Sequence, residues 1–189
     1  MKRSTLLLAV CALAVVYAFQ AAETTNDKDV VQGGGKLQWS DYKGKVDTSK
    51  KTDAYSYVLF SYNHQITGDS VRVVMKNTFF RKYSWAKESA KTKERLHHEQ
   101  GFFDIAEVNA RRFRKLMTTM TIYKNTANKQ IGTAYSQAIK DRAKEQGQYQ
   151  KETEYGKNKV KQAEWDKKIK EQLKLLEKFA GQAVKVRMK

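Results

Sequence analysis

The chain has 189 residues, a formal charge of +17, no proline and a single cysteine. That length suffices for one domain with a real core. The charge excess favours contact with anionic surfaces, and one cysteine rules out a disulfide framework within the chain. In chain order, Lys2 and Arg3 form a basic start ahead of an apolar run, Thr5 to Tyr17, that is too short to span a bilayer. Residues 1–22 therefore read as a signal peptide, with cleavage expected after Ala18 (Val16-Tyr17-Ala18) or, second, after Ala22. The expected location is secreted or periplasmic. Cys11 would be lost with the signal, and bulky Val10 before it argues against a lipoprotein. No transmembrane span is expected in the mature chain.

Residues 23–36, polar and ending in Gly33-Gly34-Gly35, read as a flexible leader. One domain is expected over 37–182, beginning at Leu37-Gln38-Trp39, with a basic tail at 183–189. Ala54 to Ile66 and Val71 to Phe80 are rich in aromatic and β-branched residues and flank the turn signal Thr67-Gly68-Asp69-Ser70, predicting an antiparallel hairpin. Trp85, just beyond, is expected to pack this sheet onto helices. From Lys91 to about Met120, Leu96, Phe102, Phe103, Ala106, Ala110, Phe113 and Met117 recur with the helical period. Two more helices are predicted over about 129–149 (Ile131, Tyr135, Ala138, Ile139) and 160–180 (Trp165, Ile169, Leu173, Leu176, Ala180), with Gly181 as a stop. Strands first and helices after define an α+β fold, a β-sheet packed on a C-terminal helical part.

The chemistry-bearing motif lies on the first helix. His98-Glu99-Gln100-Gly101-Phe102 is a zinc-protease HExxH in which the final histidine is phenylalanine. Imidazoles at i and i+4 share a helix face and can grip one Zn²⁺, while the glutamate acts on the bound water. Phenylalanine offers the metal no lone pair. Of the other histidines, His97 diverges from His98 by about 100° on a helix, and His64 falls near a strand end. Glu107, near the His98 face, is the remaining carboxylate candidate. A His98/Glu107 site falls short of the three protein ligands of catalytic zinc. Glu99 then reads as a vestigial general base paired with a nearby cation. No thiol, serine-triad or phosphate-loop pattern accompanies it.

The stretch from Leu96 to Glu107 resembles the HEQxHFDIAE core of a family of exported bacterial proteins of unknown function, described as secreted zinc-dependent proteases. Three further blocks carry the resemblance in the same order: Trp39-Ser40-Asp41-Tyr42-Lys43-Gly44 matches a W-S-D-F-x-G opening, Ser84-Trp85 an SW pair, and Tyr149 to Gly156 with Gln162 to Trp165 a YDxETxHG…QxxW block. It covers roughly residues 37–180 and implies a zinc-protease-like (zincin-like) fold. It also implies that Phe102 and Tyr155 stand where metal-binding histidines stand in relatives. Trp39, Trp85, Gly101, Asp104, Gly156 and Trp165 match as structural residues, and Phe102 and Tyr155 are expected to fill the emptied site together. The expected protein is a degenerate, inactive relative with no cofactor, acting by binding or as a structural element. One alternative is an active Zn²⁺ hydrolase using His98 and Glu99 with non-standard ligands. Another is a basic module for anionic envelope polymers. A protein partner also fits, whereas lysines spread along the helices, without one basic tract, do not suggest specific nucleic-acid binding.

Overall fold

Residues 30–189 are described by the computed structural model, and residues 31–189 form one compact unit. The signal segment, Cys11, both cleavage positions and leader residues 23–29 lie outside the described residues.

The expected hairpin forms between β3 (Val58–Thr67) and β4 (Ser70–Phe80), in register from Val58 opposite Phe79 to Thr67 opposite Ser70. Only Gly68 and Asp69 connect them, and Gly68 takes φ +59, the conformation a two-residue hairpin turn of type II′ needs at its first position. β4 is central. Its first half pairs with β6 (Ala183–Arg187), and its second half lies beside β1 (Val30–Gln32), where Gly33 N–H donates to Asn77 O at 2.7 Å. The expected flexible leader and basic tail therefore both contribute strands. In β6, Val184 and Val186 alternate with Lys185 and Arg187, so two valines join the core edge while the charges face out.

The strand predicted as continuous from Ala54 breaks at Ser56-Tyr57. β2 (Ala54–Tyr55) pairs instead with β5 (Trp85–Ala86) in a separate two-stranded sheet. The break has a cause: Ser56 turns inward to Glu99, and Tyr57 N–H is held by Ser84 Oγ at 2.9 Å. Trp85 thus belongs to the small sheet, and its neighbour Ala86 lies in the buried cluster that holds Phe79 and Phe103.

Three helices follow: α1 (Lys93–Thr119), α2 (Ala127–Glu152) and α3 (Lys159–Leu175). Thr92 caps α1 by accepting from Arg95 N–H, and Asn158 caps α3 by accepting from Lys161 N–H. The period-two face of β4 (Val71, Val73, Met75) meets the α1 stripe of Ala110, Phe113 and Met117, with Ile131 of α2 closing the cluster. α3 ends at Leu175, short of the expected Ala180, and gives way to a 3-10 turn at Glu177–Phe179; the carbonyls of Phe179 and Ala180 accept from the Arg114 guanidinium. The architecture is α+β. Among the described residues no helix is long and apolar enough to cross a membrane.

Candidate functional site

α1 carries the whole HExxH-like segment, and the helix sends its two polar side chains in different directions. His98, only 1% exposed, faces the junction of α2 and α3. Its ring stacks on Tyr149, centroids 4.6 Å apart and planes 6° from parallel. Nδ1 lies 3.3 Å from both Gln162 Oε1 and Thr153 Oγ1. Thr153 donates its own proton to Tyr149 O, and the Gln162 amide donates to Asp166 and to the Tyr149 hydroxyl. Both neighbours are therefore acceptors, which puts the imidazole proton on Nδ1. Burial holds the His98 pKa below its ordinary value of 6.5, so the ring is neutral.

Glu99 faces the other way, towards the segment between Tyr42 and Tyr57. Ser56 donates to Oε2 at 2.5 Å, Tyr42 donates to Ser56 at 2.9 Å, and Arg95 clamps Oε1 at 2.8 Å. The expected pairing of this carboxylate with a nearby base is what the structure has. Burial, reinforced by the Glu99 charge, drives the Tyr42 phenol far above its ordinary range, so Tyr42 remains a donor.

Glu107 does not join His98. Nine residues at 1.5 Å each set them about 13 Å apart along the helix axis, and Glu107 is committed elsewhere. It accepts from Arg111 Nε at 3.0 Å and from Arg114 Nη1 at 3.3 Å, with its Oε2 against Gly33, where a Cβ would collide. The two arginines then hold carbonyls at the end of α3: Arg111 takes Leu173 O at 3.0 Å, and Arg114 takes those of Phe179 and Ala180. Glu107 is thus a structural anion, a correction to the candidate-ligand reading. His97 pairs with Asp166 and His64 with Asn128, each at 2.7 Å. Among the described residues no group of three or more His, Cys, Asp or Glu side chains is placed to hold a metal ion.

The expectation that Phe102 and Tyr155 jointly fill a vacated site is also revised. Phe102 packs with Ile105, Tyr149, Trp165 and Ile169. Tyr155 is 48% exposed, with its ring 6.2 Å from the His98 ring and 5.6 Å from the Arg95 guanidinium. Tyr149 fills the space against the imidazole. Its hydroxyl donates to His98 O at 2.9 Å, and a Cβ on Gly101 would sit 2.3 Å from the Tyr149 hydroxyl oxygen. The α2–α3 turn runs through Glu154, Tyr155 and Gly156, all at positive φ, and a Cβ on Gly156 would lie 2.9 Å from His98 Cβ. Gly101 and Gly156 are glycines because the residues around His98 leave no room for more. Tyr149, Thr153 and Gln162 fall within the C-terminal block of the resemblance, but only the crossing of α2 and α3 over α1 shows what they bind.

The remaining matched positions are scaffolding. Trp39 Nε1 donates to Thr92 O at 3.1 Å, tying the opening segment to the start of α1. Trp165 Nε1 donates to Glu152 Oε2 at 2.8 Å and stands edge-on to Tyr149. Asp104 accepts from Gln100 at 2.8 Å, yet burial pushes its carboxyl up to about 6 from 3.8. The folded state thus holds a proton that the unfolded chain releases between pH 3.8 and about 6, so this group's contribution falls as pH rises through that window. Asp104→Asn should relieve it: in urea melts at pH 4 and pH 7.5, the variant's stability relative to wild type is expected to improve at the higher pH by on the order of 2 kcal/mol. A difference independent of pH would contradict the assignment. His98 acts oppositely, since its lowered pKa removes stability as pH falls below 6.5.

No protein-family model, curated protein or solved structure matches this chain.

Proposed function

We propose that this chain is an exported, non-catalytic binding or structural protein whose zinc-protease-like frame has become internal packing. The observation that carries this reading is the use of the Glu99 carboxylate: one oxygen takes Arg95 and the other takes Ser56, inside a segment that faces away from His98. A general base must have an oxygen free for water and must face the metal that acidifies it. The donor set supports the same conclusion, because catalytic zinc takes three protein ligands. Here the helical turn after His98 presents Phe102, and Glu107 is occupied by two arginines. These residues do not fit a resident zinc. The ordered resemblance over residues 37–180 supports the zincin-like frame, and the basic and apolar N-terminal segment supports export.

One observation favours the rival reading of a zinc hydrolase with non-standard ligands. With its proton on Nδ1, His98 keeps a lone pair on Nε2, the nitrogen an HExxH histidine offers to zinc. The two readings separate on donor count. Phe102→His alone should gain no tight zinc site, because it supplies at most a second imidazole. Phe102→His combined with Tyr155→His, which adds the third imidazole, is expected to bind zinc more tightly than the single variant by isothermal titration. Tight, stoichiometric zinc in the single variant would mean that a third ligand is already in place, and the inactive reading would fail.

A further inference from the structure

A cleft of about 420 Å³ opens where the small sheet meets the end of β4. Its walls are Tyr55, Tyr57, Tyr83 and Trp85, with Lys45 and Lys82 at its rim and no carboxylate among the residues that line it. Three of these rings are unusually open for large aromatics: Tyr55 is 45% exposed, Tyr57 38% and Tyr83 54%. Single exposed tyrosines need no explanation, but a contiguous group beside cations does.

The rings stand on a stiff frame. Tyr57 is fixed at both ends of its peptide, its N–H by Ser84 Oγ and its carbonyl by Phe80 N–H. Ser84 is fully buried and also donates to Phe80 O at 2.8 Å. Gly44 closes one side with its N–H on Ser84 O at 2.8 Å, in a fit so close that a Cβ there would meet two backbone oxygens under 3 Å away. Packing does not require aromatic faces to remain in water on so well-held a scaffold. A ligand that covers them would.

The geometry points to a carboxylated polysaccharide as that ligand. Successive rings are tilted, Tyr55 to Tyr57 by 52° and Tyr57 to Tyr83 by 65°, so they form a trough of faces and phenol edges. A pyranose suits such a trough. Its axial C–H bonds lie on the electron-rich ring faces, its hydroxyls meet the phenols, and a carboxylate at C6 meets Lys45 or Lys82. A single strand of nucleic acid suits it less well, since stacking bases need successive open, near-parallel faces and a cationic track along every phosphate. The inference gives the binding reading its site and rests on that reading. Zinc content of the same samples tests the separate claim about His98.

The test titrates the full mature chain with short oligogalacturonides, with neutral galacto-oligosaccharides and with oligo(dT), at low and at physiological salt. Oligogalacturonide binding that is preferred over both others, and that weakens with salt, is expected. Tyr55→Ala with Tyr83→Ala should weaken it about ten-fold or more, with an unchanged circular dichroism spectrum because both side chains are exposed. Lys82→Glu should weaken it comparably, whereas Lys167→Glu, the same charge change on the exposed face of α3, should have a much smaller effect. Absent binding, preference for oligo(dT) or for the neutral sugar, or equal losses from Lys82→Glu and Lys167→Glu would overturn the assignment. So would undiminished affinity in the double tyrosine variant.

Discussion

Glu107→Ala is expected to destabilise the protein by about 3–5 kcal/mol, a drop of roughly 10 °C in Tm for a chain of this size. Arg114 is 1% exposed and is the largest fully buried side chain in the described structure. Its Nε has no hydrogen-bond partner, and burial lowers its pKa while Glu107 opposes that shift. Removing the carboxylate leaves a buried guanidinium facing only carbonyl oxygens, with Arg111 close by and equally unpaired. Loss of one partner from a buried pair costs far more than the pair contributes, because the remaining charge stays desolvated. The damage should spread to the turn at Phe179-Ala180 that leads into β6. Adding Arg114→Met should therefore recover part of the loss, so the two substitutions together should cost less than their sum. A Glu107→Ala variant that melts like wild type would return Glu107 to the pool of candidate ligands.

The second large effect concerns the contact between Gly101 and Tyr149. Gly101→Ala would put a methyl 2.3 Å from the Tyr149 hydroxyl and 2.9 Å from its Cζ. The tyrosine is fully buried between His98 and Trp165. It must shift, break its bond to His98 O and leave buried polar atoms unpaired. Overpacking of about 1–3 kcal/mol and an orphaned hydrogen bond of about 1–3 kcal/mol add to roughly 4 kcal/mol. Tyr149→Phe removes the oxygen that clashes most. Combined with Gly101→Ala it should restore stability in part, and a double-mutant cycle by urea denaturation would show strong coupling. Additive losses would mean that Tyr149 does not occupy this position.

Much of this architecture is legible in the sequence. The hairpin follows from β-branched and aromatic runs around a glycine that can take positive φ, and the absence of proline leaves three helical stripes unbroken. What escaped depends on contacts between residues distant in sequence. The break at Ser56-Tyr57 exists because Glu99, more than forty residues on, needs a hydroxyl donor. β6 did carry a signal, valines alternating with charges from Val184 to Arg187, but its lysine and arginine pointed to a solvated tail. Glu107 with Arg111 one turn on was a readable ion-pair pattern, outweighed by the presence of His98 on the same helix. Thr153 and Gln162 could not be assigned to His98 from spacing, since the left-handed turn at 154–156 decides how α3 returns.

Metal content decides whether His98 still holds a zinc ion. The mature protein should be purified without chelator, equilibrated with excess Zn²⁺, desalted and examined by elemental analysis beside His98→Ala. Well under one zinc per chain is expected in both, with no difference between them. One tightly held zinc per wild-type chain that disappears in His98→Ala would contradict it.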